Sequence, residues 1–233
     1  MNLNVKFYMA SAAVLTALFS AAAQNTGTPD LRGIQTQKGW KLANRSVQMI
    51  DSVGKKAAHF DARQGDGLAW LEGFSFSSGV IECDILGRSK PIQGSFVGIA
   101  FRVLNADTFD AVYFRPFNFR SEDSTRRAHS VQYVSNPAWT WPILRRDKPG
   151  QYEKPIEPPP DGDQWFHVRI VLEKSEVRVY VNDAKTPCLV VNELGGVQGG
   201  SVGLFVGNGS PGAFANFRVS PCPKTDHGDK RLQ

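Results

Sequence analysis

The chain has 233 residues, 41% hydrophobic and 21% charged, with a formal net charge of +5. These proportions exclude a disordered tail and a membrane bundle, and the length allows one large domain or two small ones. The 22 glycines and 14 prolines follow no period, which excludes collagen-like repeats, and three cysteines are too few for a disulfide scaffold.

Residues 1–23 read as a secretory signal peptide. Lys6 supplies the basic start, an uncharged and largely apolar run covers 7–19, and Ala21-Ala22-Ala23 before Gln24 is an A-x-A cleavage site. The run is shorter than the ~18 residues a spanning helix needs, and no later segment is apolar enough to span. The expectation is a secreted or periplasmic protein cut near Ala23. A polar linker then occupies 24–38, one folded domain 39–221 and a polar tail 222–233. Within the domain, short β-type runs fall at 46–50, 57–62, 68–71, 80–86, 96–104, 111–117, 130–134, 165–173, 176–181, 188–191, 201–206 and 213–219. Turn chemistry separates them, as at Asp66-Gly67, Asn182-Asp183 and Asn208-Gly209. No window of 12 or more residues keeps a helical apolar period. The stretch 136–162 holds seven of the 14 prolines, so it is expected to be a long loop rather than a central strand. Loops of that length in a compact domain are usually functional or mobile.

About a dozen strands at antiparallel spacing imply an all-β fold, a two-sheet antiparallel jelly-roll sandwich in one domain. The pair 165–173 and 176–181 forms a clear hairpin, with Phe166, Val168, Ile170 and Leu172 on one face. That hairpin, the run Gly94-Ser95-Phe96-Val97-Gly98-Ile99-Ala100-Phe101-Arg102 and the closing strands 203–206 and 214–219 resemble the concanavalin A-like lectin/glucanase superfamily. Laminin-G-like modules and 3-keto-disaccharide hydrolase-like exported proteins are the nearest in pattern. The resemblance covers roughly residues 39–221. It implies a concave sheet face that meets a glycan, but the fold hosts lectins, hydrolases, lyases and adhesion modules alike.

Several constellations are candidates for chemistry. Glu82 and Asp84 share one face of an alternating strand and resemble the E-x-D-x-x-E strand of retaining β-glucanases. The third carboxylate is absent, since Gly87 stands there, so that mechanism is rejected. Glu82, Asp84 and Glu153 remain the candidate acids or bases. Arg102, Tyr113, Arg115 and Gln132 are expected near the two acids on the concave face, as ligand-binding groups. Arginine offers a planar fork of donors, and glutamine donates and accepts at once. Their alternative role is a charge network within the sheet. Trp139 and Trp141, in the proline-rich stretch, could stack on sugar rings or pin the loop. His59, His129 and His167 have no fixed spacing to a nucleophile.

Asp161-Gly162-Asp163 could offer oxygens to calcium, but two aspartates in a glycine turn are too few to assign a site, and no other metal or cofactor is expected. Cys188 and Cys222 could pair if the protein is oxidised, a matter their spacing leaves open. Asn44 and Asn208 begin N-x-S sequons. The mild basic excess does not mark a nucleic-acid binder. The leading expectation is therefore an exported carbohydrate-binding jelly roll. A glycoside hydrolase or lyase and a protein–protein adhesion module are the alternatives, and oligomeric state is open.

Overall fold

The computed structural model describes residues 27–221. In chain order a short helix α1 (Arg32–Thr36) precedes strands β1 (Trp40–Ala43), β2 (Val47–Ser52), β3 (Lys55–Phe60), β4 (Gly67–Leu71), β5 (Gly79–Leu86), β6 (Val97–Val103) and β7 (Phe109–Phe114). Helix α2 (Ser124–Arg127), β8 (Val131–Asn136), α3 (Trp141–Asp147) and β9 (Glu153–Lys154) follow. The chain closes with β10 (Phe166–Glu173), β11 (Glu176–Val181), β12 (Leu189–Asn192), β13 (Ser201–Val206) and β14 (Gly212–Ser220). These strands form two seven-stranded antiparallel sheets. One runs β12-β11-β10-β5-β14-β3-β2, here the β5 sheet, and the other β1-β4-β13-β6-β7-β8-β9, here the β7 sheet.

The sheets pack face to face because strands such as β10 and β11 turn one apolar face inward. In β10, Phe166, Val168, Ile170 and Leu172 all point inward, as the pattern predicts. Phe166 meets Phe114 of the opposite sheet with ring centroids 5.2 Å apart. Each such side chain contributes roughly 1.5–3 kcal/mol through burial. The all-β jelly-roll sandwich expected from the sequence is the fold observed.

Three local expectations change. The stretch expected as a linker is packed from Gly27 onward: Gly27 exchanges backbone hydrogen bonds with Val219, and Ile34 of α1 is fully buried. Strand β1 had no alternating signal in its four residues, and it is held by pairing with β4. The proline-rich stretch contains α3 and β9 as well as loop. Helix α3 is only seven residues long, too short to show a period. It accepts Pro142 because a first-turn residue has no intrahelical N–H bond to lose. Among the described residues, no helix is long and apolar enough to cross a membrane. The expected signal peptide, the cut before Gln24 and Cys222 lie outside the described residues, and with Cys222 goes the Cys188–Cys222 pairing.

Candidate functional site

The outer face of the β7 sheet carries a row of aligned residues. Register places Leu68, Phe205, Gly98, Tyr113, Gln132 and Glu153 side by side across six strands. Phe205 and Tyr113 lie 5.6 Å apart between ring centroids, with Gly98 between them, and Phe96 meets Tyr113 edge-on at 6.0 Å. A Cβ at Gly98 would fall 2.2 Å from the Val112 carbonyl oxygen and 2.6 Å from the Tyr113 Cα, so only glycine fits. These rings floor a cavity of about 360 Å3. Trp141 and Pro142 of α3 form one wall, while Asp66, Gly207 and Asn208 form the other; Asn136 and Thr140 complete the rim.

Each wall has its own support. Leu144 is buried and anchors α3, which leaves Trp141 46% exposed over the hollow. Helical spacing places Arg145 four residues on, and its guanidinium stacks on the Trp141 ring at 4.9 Å. Trp139 plays a different part: it is packed against the core and exchanges backbone hydrogen bonds with Ser135. Opposite, Arg45 is buried and ties three loops together, donating to the carbonyls of Asn44 (2.6 Å), Gly65 (2.8 Å) and Gly207 (2.9 Å). Asn208 accepts from the Gly65 N–H at 2.7 Å.

Beside the floor, further along the same sheet face, lies a charge cluster. Arg115 is 5% exposed and donates to the Tyr113 hydroxyl at 2.8 Å, to the His129 carbonyl at 2.9 Å and to Gln132 Oε1 at 3.4 Å. Its guanidinium lies 4.9 Å from the Tyr113 ring centre. Gln132 is buried and donates to the Tyr133 and Tyr152 carbonyls. Glu153 is 4% exposed and accepts a two-pronged bond from Arg145, at 3.0 and 2.6 Å. Arg115 Nη1 is 4.0 Å from the same carboxylate. His129 Nδ1 stands 2.7 Å from Glu153 Oε2, in an orientation that makes no hydrogen bond.

The electrostatics follow from burial and pairing. Burial would raise the Glu153 carboxyl, but the Arg145 hydrogen bond and the charges of Arg145, His129 and Arg115 outweigh it and hold it below the usual carboxylate range. Burial pushes the Tyr113 hydroxyl up to about 12 despite Arg115, so it stays protonated. Its oxygen accepts from Arg115, which leaves its proton for another acceptor.

Glu82 and Asp84 are elsewhere. They sit on the outer face of the β5 sheet, so the expected single face carrying these acids with Tyr113, Arg115 and Gln132 does not form. The strand run 80–86 belongs to one sheet and 111–117 to the other, a division that alternation within a strand does not reveal. Asp84 accepts from Lys55 Nζ (2.5 Å) and Asn216 Nδ2 (2.6 Å), and its other oxygen lies 2.7 Å from His167 Nδ1. Burial opposes ionisation, yet these three bonds and the Lys55 charge hold the Asp84 carboxyl well below its usual range. The Asp84 bond raises His167 in return. Glu82 pairs with Arg218 at 3.0 Å.

Arg102 is corrected too. Alternation aimed it outward, but β6 bulges against β13, Arg102 takes a left-handed φ of 53°, and the side chain is 2% exposed. It grips Glu193 at 2.9 Å and the carbonyls of Phe76 and Gln198. It is far from being a free ligand group: its donors hold the strap 193–198 to the sheet. The Asp161-Gly162-Asp163 carboxylates are engaged within the protein. Asp161 accepts from Arg120 and the Asp163 N–H, and Asp163 from the Ser89 N–H and hydroxyl. Among the described residues no group of three or more His, Cys, Asp or Glu is placed to hold a metal. Sequence reasoning missed Asp66, Phe96, Phe205, Asn136 and Asn208 as site residues. The signal available was weak, since Asp66-Gly67 and Asn208-Gly209 read simply as turns.

No protein-family profile matches the chain, and no curated protein is similar to it in sequence. Solved structures do share its fold. The carbohydrate-binding module CBM66 from Bacillus subtilis is 17% identical with a TM-score of 0.54, covering 78% of this chain and 96% of that one. A protein of unknown function with a galectin-like fold, also from Bacillus subtilis, is 12% identical with a TM-score of 0.51, covering 84% and 97%. The exoplasmic/lumenal domain of VIP36 in its Ca2+/Man3GlcNAc-bound form is 11% identical with a TM-score of 0.54, covering 84% and 90%. The chain thus has a jelly-roll sandwich fold with a hollowed outer face on the β7 sheet.

Proposed function

We propose that this protein is exported and binds a carbohydrate in the hollow of the β7 sheet. The observation that carries the reading is the cavity itself: an aromatic floor, a half-exposed tryptophan wall and a rim of amide, hydroxyl and carboxyl groups. A sugar ring needs both an apolar platform for its C–H face and oriented hydrogen-bond partners for its hydroxyls. The fold shared with a carbohydrate-binding module and with the VIP36 exoplasmic/lumenal domain solved with Man3GlcNAc supports it.

Tyr113 and Trp141 meet the ligand directly. Arg115, Gln132 and Glu153 support them from the side, because their polar groups are committed to one another. The reading is one of binding rather than turnover: Glu82, Asp84 and Glu153 are all ion-paired, none lines the cavity, and the first two stand on the opposite sheet. A glycan array on the full chain, followed by titration calorimetry with parallel mass spectrometry of the glycan, tests this. Binding without product, weakened about tenfold in Trp141→Ala, is expected. A silent array, or binding that Trp141→Ala leaves unchanged, overturns the assignment. Export is checked separately by intact mass of the protein recovered outside the cytoplasm, which should begin at Gln24.

A further inference from the structure

A second cavity of about 470 Å3 opens beside the first, lined by Asn44, Asp107 and Phe109 among others. The two share three wall residues, Asp66, Asn136 and Thr140. Cavities that hold small ligands run from about 300 to 1,000 Å3, so each compartment has the size of a ligand site on its own. A common wall makes them one trough along the sheet face. The trough is chemically one-sided as well. Among its lining residues the only charged side chains are Asp66 and Asp107, and there is no lysine or arginine. The nearby cations are committed: Arg145 lies on the Trp141 ring and is paired with Glu153, Arg115 is buried beside Tyr113, and Arg45, the cation nearest Asp66, is buried with its donors on the carbonyls of Asn44, Gly65 and Gly207.

Resting on the carbohydrate reading above, we infer that the ligand is an uncharged oligosaccharide laid across both compartments, with Asp66 at the joint. One sugar ring occupies the aromatic compartment against Tyr113 and Trp141. The chain continues past Asp66, Asn136 and Thr140, whose oxygens and amide meet hydroxyls at the linkage. A uronate or sulfated glycan would bring its anion against Asp66 and Asp107 with no cation in the lining to pair it, since Arg45 is buried on backbone carbonyls, and an unpaired charge leaving water is costly. Ala106 lines the second compartment from an exposed loop, so it is the place to block that compartment without disturbing the first.

The experiment is titration calorimetry of the full chain with neutral gluco-, galacto- and manno-oligosaccharides from a single sugar upward. The matching uronic acid oligomers and the Ala106→Trp variant form the other arms. Affinity should rise by about tenfold or more between a single sugar and the chain that spans both compartments. The uronic series should bind more weakly than the neutral one at each length. Ala106→Trp should keep the affinity for the single sugar and lose the gain with length, with its thermal midpoint confirming that it folds. Equal affinity for single sugar and chain, a gain that survives Ala106→Trp, or a preference for the uronic series overturns this inference while carbohydrate binding stands. Failure of every glycan to bind overturns both.

Discussion

The two outer faces of the sandwich handle charge in opposite ways. On the β5 sheet, Asp84, Glu82, His167, Lys55, Asn216 and Arg218 neutralise one another at the surface, strand to strand. On the β7 sheet, Arg115 and Glu153 are buried beside the rings, and the neighbouring hollow is lined mainly by aromatic and uncharged polar groups. The difference teaches where a ligand can compete. A hydroxyl approaching Asp84 must displace three charge-assisted partners. One approaching the hollow meets Tyr113, Trp141 and rim amides that give up little but water.

The comparison can be broken most forcefully at Glu153. Glu153→Ala leaves Arg115 buried without its counter-charge and frees Arg145 from Trp141's side, so stability should fall by about 3–4 kcal/mol in urea unfolding. Glycan affinity should fall with it. On the other face, Asp84→Ala removes the acceptor for three donors and should cost about 2–3 kcal/mol, with glycan affinity unchanged. A loss of affinity there would mean the β5 face takes part in binding. Trp141→Ala reverses the pattern: affinity drops about tenfold while stability stays within roughly 0.5 kcal/mol, since this side chain is half exposed. Calorimetry beside thermal unfolding of the same samples reads both.

The smallest effect is in pH. Asp84 and Glu153 are held below their usual values, so the stability they add is present above their unfolded pKa of about 4 and is lost as pH falls through their folded values. His167 is raised, so its contribution is full below its unfolded value of about 6.5 and is lost as pH rises through the folded one. Urea midpoints across that range should show the alkaline decline in the wild type. In His167→Gln that decline should vanish and the acid limb remain.

The sequence by itself determined the fold class and most of the strands. Alternation in 166–172 settles that Phe166, Val168, Ile170 and Leu172 point into the core, since a period of two puts them all on one face. It also put Tyr113, Arg115 and Gln132 on one side of their strands, and the register pairing Tyr113 with Gln132 keeps them together. Tertiary structure alone decided the rest. Whether Glu82 and Tyr113 share a sheet depends on strand order, which pairs residues far apart in the chain and leaves no local trace. Two bulges, at Arg102 and Asn216, each insert a residue with φ 53° and shift the alternation. One buries an arginine expected outside. The other aims Asn216 at Asp84 and lets Phe214 and Phe217, three apart, both face the core. The hollow is the clearest case: its walls come from loops near 66, 141 and 208, each an ordinary turn or proline segment in the sequence, and only the packing of β4, β8 and β13 into one sheet gathers them around Tyr113.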